Sequence, residues 1–219
     1  MIARNANLSK FEVLRYQLES ENIDIDIITF NMDDSIATSA KHISEYHVDR
    51  VLMLQKLFIE HHRVTDYVLV ADDDVVFFEG GIKSSLGIVN EFDFDICSVS
   101  HSLNSYRNHN ITLQQLDLIA SEVLFCEIGP MLFVKSKFFL DFFPSWHIGM
   151  GWGLEAFWTK LASVNSLRMG MIHLDSISHL VQSKGFNKFF DKSYFMLNQD
   201  YYEELSISPE KFIVQKFMI

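Results

Sequence analysis

A short run of strand-forming residues, Tyr67–Ala71 (YVLVA), stops at three consecutive aspartates, Asp72, Asp73 and Asp74. On an extended segment, the first and third carboxylates project to the same side. Two carboxylates at that spacing repel each other unless a cation or protons intervene, and their oxygens suit hard divalent ions such as Mg²⁺ or Mn²⁺. The motif therefore predicts a metal site that would bind the phosphates of a nucleotide. The alternative interpretation is an acidic loop that only ends the strand.

Helix-like and strand-like segments alternate along the chain. Apolar residues three or four apart predict helices over residues 7–19 and 46–62, followed by strands over 23–30 and Tyr67–Ala71. The other predicted elements are a helix from Gly80-Gly81 to about Asn90, strands over 92–99, at Phe133-Val134 and over 168–174, and a helix over 154–164. This order predicts one α/β domain over residues 1–219, with a mostly parallel central sheet and helices on both faces. Ligands of such sheets bind at the carboxyl ends of strands, where the three aspartates lie.

The composition excludes several classes of protein. The 219 residues carry 18 Lys and Arg against 29 Asp and Glu, a net charge of −11, which argues against a nucleic-acid partner. With 48% apolar and 21% charged residues, disorder is excluded for most of the chain. Its two cysteines, Cys97 and Cys126, each lie in an apolar run without a CxxC pattern, which is typical of small core residues.

The beginning of the chain predicts a cytoplasmic protein. Residues 1–10 contain no apolar signal region, and no run of about 18 apolar residues occurs. Only Met1, Ile2 and Ala3 precede Arg4, so the opening strand is either very short or follows an upstream stretch that is absent here. If the strand ends there, Arg4 lies at its carboxyl end and could meet a donor phosphate. A solvated arginine is the alternative.

A second motif combines glycines with an acidic residue. The segment 149–155 reads GMGWGLE, and alternating glycines let the backbone approach a ligand closely. The residues that follow it have the apolar spacing of one helix face. Glu155 lies in the first turn of this helix, where the helix dipole favours an ionised carboxylate. It is therefore a candidate general base, or else an acid placed there only for helix stability.

A third motif, RMGMIHLDSISHL over residues 168–180, ends in polar residues. A strand that reaches Asp175 would place His179 just beyond its end. Imidazole and carboxylate together suit Mn²⁺, so His179 could ligate the same metal as the aspartates. His173 lies within the apolar strand and is interpreted as a packed residue. An ordinary surface histidine is the alternative for His179.

The order of these motifs resembles that of glycosyltransferases with the GT-A fold. The segments are YVLVADDDVVFF, FCEIGPMLFVKSKFF, GMGWGLEAFW and GMIHLDSISHL, and together they cover roughly residues 66–182. They are most similar to a bacterial and plant group with D-[DE]-D, E-x-x-x-P, GWGL-[DE] and D-x-x-x-H motifs, and GWG-x-E is also similar to the acceptor motif of β-1,4-galactosyltransferases. The chain departs from the group's pattern in two places: the E-x-x-x-P motif is one residue shorter here and reads EIGP, and the opening strand is truncated.

The resemblance implies a hexosyltransferase-like enzyme that uses Mn²⁺ or Mg²⁺ and moves a sugar from a nucleotide-sugar donor to a glycan or lipid-linked acceptor, as in polysaccharide biosynthesis. It implies that Glu155 deprotonates the acceptor hydroxyl with inversion at the anomeric carbon. The other implied roles are donor or metal binding by Asp72, metal binding by Asp74 and His179, and an acceptor or sugar pocket that includes Glu127, Tyr106 and His109. Beyond the resemblance, we expect donor binding by Asp73 and Arg4 and acceptor contacts by Trp152 and Gly153.

The aromatic residues divide between core and candidate contacts. Most of the 20 phenylalanines fit core positions, whereas Trp146 and Trp152 flank the glycine segment and could stack on sugar rings. Residues 183–219 are expected to form a C-terminal aromatic extension. Within it, residues 184–195 (KGFNKFFDKSYF) mix three lysines with five aromatics, either as a packed extension or as a peripheral contact with the inner face of the membrane.

Two functions of other classes compete with transfer. An apolar strand followed by D-x-D-x-V at Asp72–Val76 is also similar to the nucleophile motif of haloacid-dehalogenase phosphohydrolases. That motif normally follows the first strand, and the later acidic pair for its Mg²⁺ is not evident. The other alternative is a non-catalytic domain that binds sugar or nucleotide.

Overall fold

The structure is a computed structural model of the chain. It describes residues 2–3, 8–21, 30–31, 42–43, 50–61, 65–146, 151–179 and 197–219. The predicted strand over residues 23–30 falls outside these ranges except for its last residue.

Six helices lie in the described ranges. They are α1 (Leu8–Ser20), α2 (Arg50–His61), α3 (Ile82–Glu91), α4 (Phe139–Phe142), α5 (Leu154–Asn165) and α6 (Gln199–Ile207). The predicted helices α1, α2, α3 and α5 are confirmed, while residues 46–49 and 62 of the predicted second helix lie outside the described residues. Among the described helices, none is long and apolar enough to cross a bilayer.

The described strands form two sheets. The small one joins β1 (Ile2–Ala3), β2 (Phe30–Asn31) and β3 (His42–Ile43) in parallel. The large one contains β4 (Tyr67–Ala71), β5 (Val75–Glu79), β6 (Ile96–His101), β7 (Leu118–Val123), β8 (Met131–Lys135), β9 (Met169–His179) and β10 (Ile213–Met218). Its order is β10-β7-β9-β6-β8-β4, and β5 pairs with the later part of β9.

The prediction of a mostly parallel sheet is wrong for the large sheet. Only β6 and β9 pair in parallel there, and the other described pairings are antiparallel. The alternation of strands and helices predicted a parallel sheet, because two neighbouring parallel strands must be joined by a long crossover, which is usually a helix. The strands β5, β7 and β10 were not predicted, and each of them adds an antiparallel pairing; the predicted strand at Phe133-Val134, β8, also pairs antiparallel with both β4 and β6.

Helices cover both faces of the large sheet, as predicted. Neighbouring strand residues belong to two different core clusters, since side chains alternate across a strand. One cluster joins Val70 and Leu132 to α2 and α5 through Val51 and Trp158. The other joins the opposite strand faces to α1 and α3, for example Phe133 to Leu14.

The two cysteines are buried, free and lie on opposite faces of the sheet. Cys126 belongs to the cluster that contains α2 and α5, and Cys97 belongs to the cluster that contains α1 and α3. Burial raises the pKa of Cys126 to about 12 and raises that of Cys97 as well. Both thiols therefore act as small apolar core groups.

Two predicted strands have different bounds in the structure. β6 begins only at Ile96, because residues 92–95 form a turn in which Asp93 has φ of 52°. β9 continues through Asp175 to His179, beyond the predicted end at residue 174. Its register with β6 jumps from Val99↔Ile172 to Ser100↔Ser176, so β9 carries a bulge at residues 173–175.

The end of the chain joins the large sheet. β10 pairs with β7, and α6 packs through Tyr202 and Leu205 on a third cluster that includes Phe125. The segment 184–195, with its lysines and aromatics, lies outside the described residues.

Candidate functional site

The three aspartates lie in the tight connection between β4 and β5. The Asp72 N–H donates to the Pro130 carbonyl over 2.8 Å, which ties this connection to the start of β8. Asp73 and Asp74 are buried, whereas the Asp72 side chain is 29% exposed. The connection therefore presents carboxylates of different accessibility at the carboxyl end of β4.

Asp72 is paired with a buried arginine that the sequence analysis missed. Arg50, the first residue of α2, donates from Nη2 to Asp72 Oδ1 over 2.7 Å. Its Nε atom is buried without a hydrogen-bond partner. Gly129 makes the close approach possible, because a Cβ there would lie 2.8 Å from Asp72 Oδ2. A cation thus already neutralises part of the charge of the aspartates.

Asp74 and His179 come together although they are far apart in sequence. β5 and β9 pair with Val75 opposite His179, and His179 Nε2 then lies 3.2 Å from Asp74 Oδ1. Burial of His179 disfavours its protonated form, but the hydrogen bond and charge of Asp74 outweigh it and raise the pKa of His179. The predicted association of these two residues is present in the structure.

The aspartates and His179 suit a divalent cation held together with phosphates. Two donors at right angles about 2.1 Å from one ion lie about 3 Å apart, close to the Asp74–His179 separation. In the described part of the chain, no three His, Cys, Asp or Glu side chains converge closely enough to enclose a metal ion. Mg²⁺ commonly uses only one or two carboxylates and takes its other ligands from phosphates and water. Asp74 and His179, with Asp72 beside them, fit that open type of site.

A buried polar chain leads away from His179. Its backbone N–H donates to Ser105 Oγ over 2.8 Å, and the same oxygen lies 3.2 Å from His101 Nδ1. His101 Nε2 lies 3.4 Å from Glu127 Oε2, although neither atom makes a well-formed hydrogen bond. Burial alone would raise the pKa of Glu127, but His101, His109 and Asn108 outweigh it and lower that pKa. Glu127 is therefore an ionised carboxylate, and its charge contributes to the raised pKa of His179.

Tyr106 and His109 line the same region. Tyr106 donates to Asn108 Oδ1 over 2.7 Å, and Asn108 in turn donates to Glu127 Oε1 over 3.2 Å. The Tyr106 ring lies 5.8 Å from that of His179. Burial lowers the pKa of His109, whose ring stacks on Tyr202 at 6.1 Å. The predicted pocket residues thus connect the aspartate side to the glycine segment.

Glu155 is buried at the start of α5. Its Oε2 accepts from the Gly153 N–H over 3.0 Å and from the Tyr202 hydroxyl over 2.6 Å. Burial raises the pKa of Glu155 in spite of these two donors, and the charge of Glu127 adds to the increase. A carboxylate of raised basicity is suited to proton abstraction. The contact with Gly153 also stabilises the beginning of the helix, so the geometry is compatible with either predicted role and does not choose between them.

The glycine segment makes the sharp entry into α5. Gly151 and Gly153 have φ of 92° and 96°, a conformation that favours glycine. The half-buried Trp152 packs against the core cluster that contains α5, while Trp146 is largely exposed with its ring edge on Phe157. Arg4, Gly149 and Met150 lie outside the described residues.

Asp175 lies on β9 like His179, but its side chain contacts a different element, the beginning of α3. Its two carboxylate oxygens accept hydrogen bonds from Ser84 and Ser85 over 2.8 and 2.6 Å. A Cβ on Gly80 would collide with this carboxylate, at 1.8 Å from Oδ1. Asp175 therefore anchors the beginning of α3.

Sequence reasoning missed Arg50, His101, Asn108 and Tyr202. His101 had one usable signal, since it lies at the carboxyl end of an apolar strand, where ligands of α/β folds bind. The other three reach the site through contacts distant in sequence. Spacing along the chain carries no signal for such contacts.

The fold is GT-A-like, the fold of nucleotide-sugar glycosyltransferases, and this confirms the predicted fold class. The structure of S. aureus TarS 1-349 in complex with UDP-GlcNAc aligns with a TM-score of 0.60 and 11% identity, over 93% of this chain and 65% of that chain. GalNAc-T7 with UDP, GalNAc and Mn²⁺ aligns with a TM-score of 0.62 and 7% identity, over 96% and 48%. The chain thus spans less than two thirds of the length of either structure.

Sequence comparison alone identifies no relative. No protein-family model matches the chain, and no curated protein does. At these low identities, the structural likeness establishes the fold, and the chemistry has to be argued from the site.

Proposed function

We propose that the chain is a metal-dependent glycosyltransferase that moves a sugar from a nucleotide-sugar donor to a hydroxyl of a glycan or lipid-linked acceptor. The observation that carries this proposal is the contact between Asp74 and His179 at 3.2 Å, beside Asp72, in a GT-A-like fold. Two structures of this fold contain UDP-GlcNAc and UDP with GalNAc and Mn²⁺. The proposal extends that ligand class to this chain.

The donor diphosphate would bind at the aspartates. Asp74 and His179, with Asp72, would hold Mn²⁺ or Mg²⁺, which when bound stabilises the negative charge of the leaving nucleoside diphosphate. Arg50 holds Asp72 in place over 2.7 Å and adds a permanent positive charge beside it. We propose that Asp73 and Arg4 also contact the donor, as the sequence predicts.

The sugar and acceptor would lie between the aspartates and Glu155. Two predicted pocket residues have contacts toward the two ends of this stretch: the Tyr106 ring lies 5.8 Å from that of His179, and the His109 ring stacks on Tyr202, which donates to Glu155. Glu127, Trp152 and Gly153 are assigned to the same pocket. Glu155 would take the proton of the acceptor hydroxyl as that oxygen bonds to the anomeric carbon. The bond from this carbon to the diphosphate oxygen breaks with its electron pair on the leaving group, and in-line attack inverts the anomeric centre.

The test is a thermal-unfolding screen with UDP, UDP-GlcNAc and UDP-GalNAc, each with and without Mn²⁺. A ligand that binds only the folded state raises the melting temperature by mass action, and 100 times Kd stabilises by about 2.7 kcal/mol. We expect Mn²⁺ to strengthen binding in the wild type and Asp74→Ala to abolish this gain. Asp141→Ala, an exposed aspartate of α4, is the matched control and should keep it.

A UDP-release assay run beside this screen separates donor binding from sugar transfer. Glu155→Gln should retain the Mn²⁺-dependent donor binding but lose sugar transfer, measured as UDP release in the presence of hydroxyl acceptors. Nucleotide binding without any effect of Mn²⁺ contradicts the metal site, and transfer by Glu155→Gln contradicts the base. Donor binding without turnover favours a binding domain. Hydrolysis of a phosphomonoester that is lost in Asp72→Asn favours the phosphohydrolase, whose motif would here follow the fourth strand instead of the first.

A further inference from the structure

A tyrosine near the end of the chain reaches the candidate base. Tyr202, on α6, donates its hydroxyl to Glu155 Oε2 over 2.6 Å, and both side chains are buried. Burial and the charge of Glu155 raise the pKa of Tyr202 far above its usual value. The phenol therefore stays protonated and can act only as a donor toward the carboxylate.

The position of Tyr202 is set by packing on three sides. α6 lies on the third core cluster through Leu205, next to Phe125. The His109 ring stacks on the Tyr202 ring at 6.1 Å with 29° between the planes. The neighbouring Tyr201 hydroxyl lies 2.9 Å from Thr159 Oγ1 on α5. Two adjacent tyrosines thus bind α6 to α5, and only Tyr202 makes a hydrogen bond to Glu155.

We propose that Tyr202 is a positioning residue that holds the Glu155 carboxylate for proton abstraction, so that α6 contributes to the reaction. This inference rests on the proposed function of Glu155. The Tyr202 hydroxyl and the Gly153 N–H both donate to Oε2. That arrangement assigns the uptake of the acceptor proton to Oε1, while Oε2 remains fixed.

The hydrogen bond has a consequence for the ionisation of Glu155. A donor to a carboxylate favours its charged form, and here it opposes the desolvation that raises the pKa of Glu155. Without the phenol, the ionised base would exist only at higher pH. A hydrogen bond to a charged group typically changes an ionisation constant about tenfold or more, which corresponds to about one pH unit.

The experiment compares Tyr202→Phe with Tyr201→Phe, which removes a hydroxyl from the neighbouring residue. Protein labelled with ¹³C at the glutamate carboxyl carbon is titrated by NMR, and the Glu155 signal is assigned by its loss in Glu155→Gln. We expect Tyr202→Phe to raise the Glu155 pKa by about one unit and Tyr201→Phe to leave it near the wild-type value. The rate of UDP release from UDP-GlcNAc or UDP-GalNAc should decrease toward low pH, and the midpoint of this decrease should shift by the same amount. We expect kcat to change more than KM.

The two readouts separate this inference from the proposed function. An unchanged Glu155 titration in Tyr202→Phe, or an equal change in both variants, overturns the positioning role. If Glu155 titrates as expected but the wild type transfers no sugar, the proposed transferase function is wrong. The role of Tyr202 in the ionisation of Glu155 then still stands. Thermal unfolding first shows that the variants fold, and Tyr202→Met replaces Tyr202→Phe if the latter melts below the assay temperature.

Discussion

Six acidic residues of the described chain are almost fully inaccessible to solvent, which is costly for an ionised carboxylate unless it is paired. They are Asp73, Asp74, Asp95, Glu127, Glu155 and Asp175. Asp175 accepts from two serines at the start of a helix, an arrangement that stabilises the fold. Asp74, Glu127 and Glu155 instead contact histidine, asparagine and tyrosine groups around one region. Residue types alone do not distinguish these two uses of a buried carboxylate, whereas their partners do.

His173 provides a test of buried ionisation away from the candidate metal ligands. Its Nδ1 accepts from the Gln115 N–H at 3.4 Å, so in the neutral ring Nε2 carries the proton and donates to Ser121 Oγ over 2.9 Å. Burial, together with the charge of Lys216, lowers the pKa of His173 to about 4, although the charge of Asp117 opposes the decrease. Protonation would therefore break the contact with Gln115.

We expect the stability to depend on pH through this residue. Between its ordinary pKa of about 6.5 and about 4, the unfolded chain binds a proton that the folded chain does not, so the free energy of unfolding decreases as the pH falls through this window. The loss attributable to His173 reaches about 3 kcal/mol. Urea unfolding at pH 7, 6 and 5 should show the stability advantage of the wild type over His173→Gln shrinking with pH. A constant difference would contradict the neutral histidine.

At the scale of elements, β9 organises the site. Its first half pairs with β6 and β7; after the bulge at residues 173–175 its second half still pairs with β6, but β5 takes the place of β7 on the other side. That change of partner brings His179 opposite the residue that follows Asp74. Bulges redirect side chains and often lie next to active sites. The apolar pattern of β9 predicted a strand but gave no sign of this bulge.

The packing of β9 is tested at Gly170. A Cβ at this position would lie 2.4 Å from Cδ2 of the buried Phe94 ring, so Gly170→Ala should destabilise the protein by about 1–3 kcal/mol through overpacking. Gly87 in α3 is the matched control, because a Cβ there meets no atom within 4 Å. Gly87→Ala should stabilise by roughly 0.4–1 kcal/mol. Chemical unfolding of both variants measures the two effects, and a neutral Gly170→Ala would show that the ring can move aside.

At the scale of the whole molecule, the end of the chain completes both the sheet and the site. β10 covers the edge of β7, and the α6 that precedes it carries Tyr202 to Glu155. β10 presents Lys216 at the outer edge, and a charged residue at an edge strand discourages pairing with other chains. The part of the predicted aromatic extension that the structure describes is therefore integral to the domain.

Removal of β10 tests this role. Deletion of residues 213–219 leaves the apolar strand β7 as an uncovered edge, so we expect a lower melting temperature and self-association. Size-exclusion chromatography at several protein concentrations and thermal unfolding measure these effects. Lys216→Gln, which keeps the strand and removes one charge, is the control and should remain close to the wild type in melting temperature. A truncated chain that stays monomeric with an unchanged melting temperature would contradict the role of β10.

Local pattern sufficed for much of the fold and for half of the site. Helical spacing located α1, α2, α3 and α5, and the apolar run before Asp72 located β4, because these signals are contained in neighbouring residues. The net charge of −11 argued against a nucleic-acid partner without locating any carboxylate in space. Strand direction could not be predicted in the same way, since β5, β7 and β10 depend on partners elsewhere in the chain.

The sequence by itself determined which residues could carry the chemistry: three aspartates after a strand, Glu155 at a helix start and His179 in a late motif. Only the tertiary structure decided what each of them meets. It placed Arg50 on Asp72, His179 on Asp74 and Tyr202 on Glu155, and it assigned Asp175 to α3. The physical reason is that a side chain's ionisation and hydrogen bonding depend on its neighbours in space. Those neighbours are set by sheet register and helix packing, which local spacing does not encode.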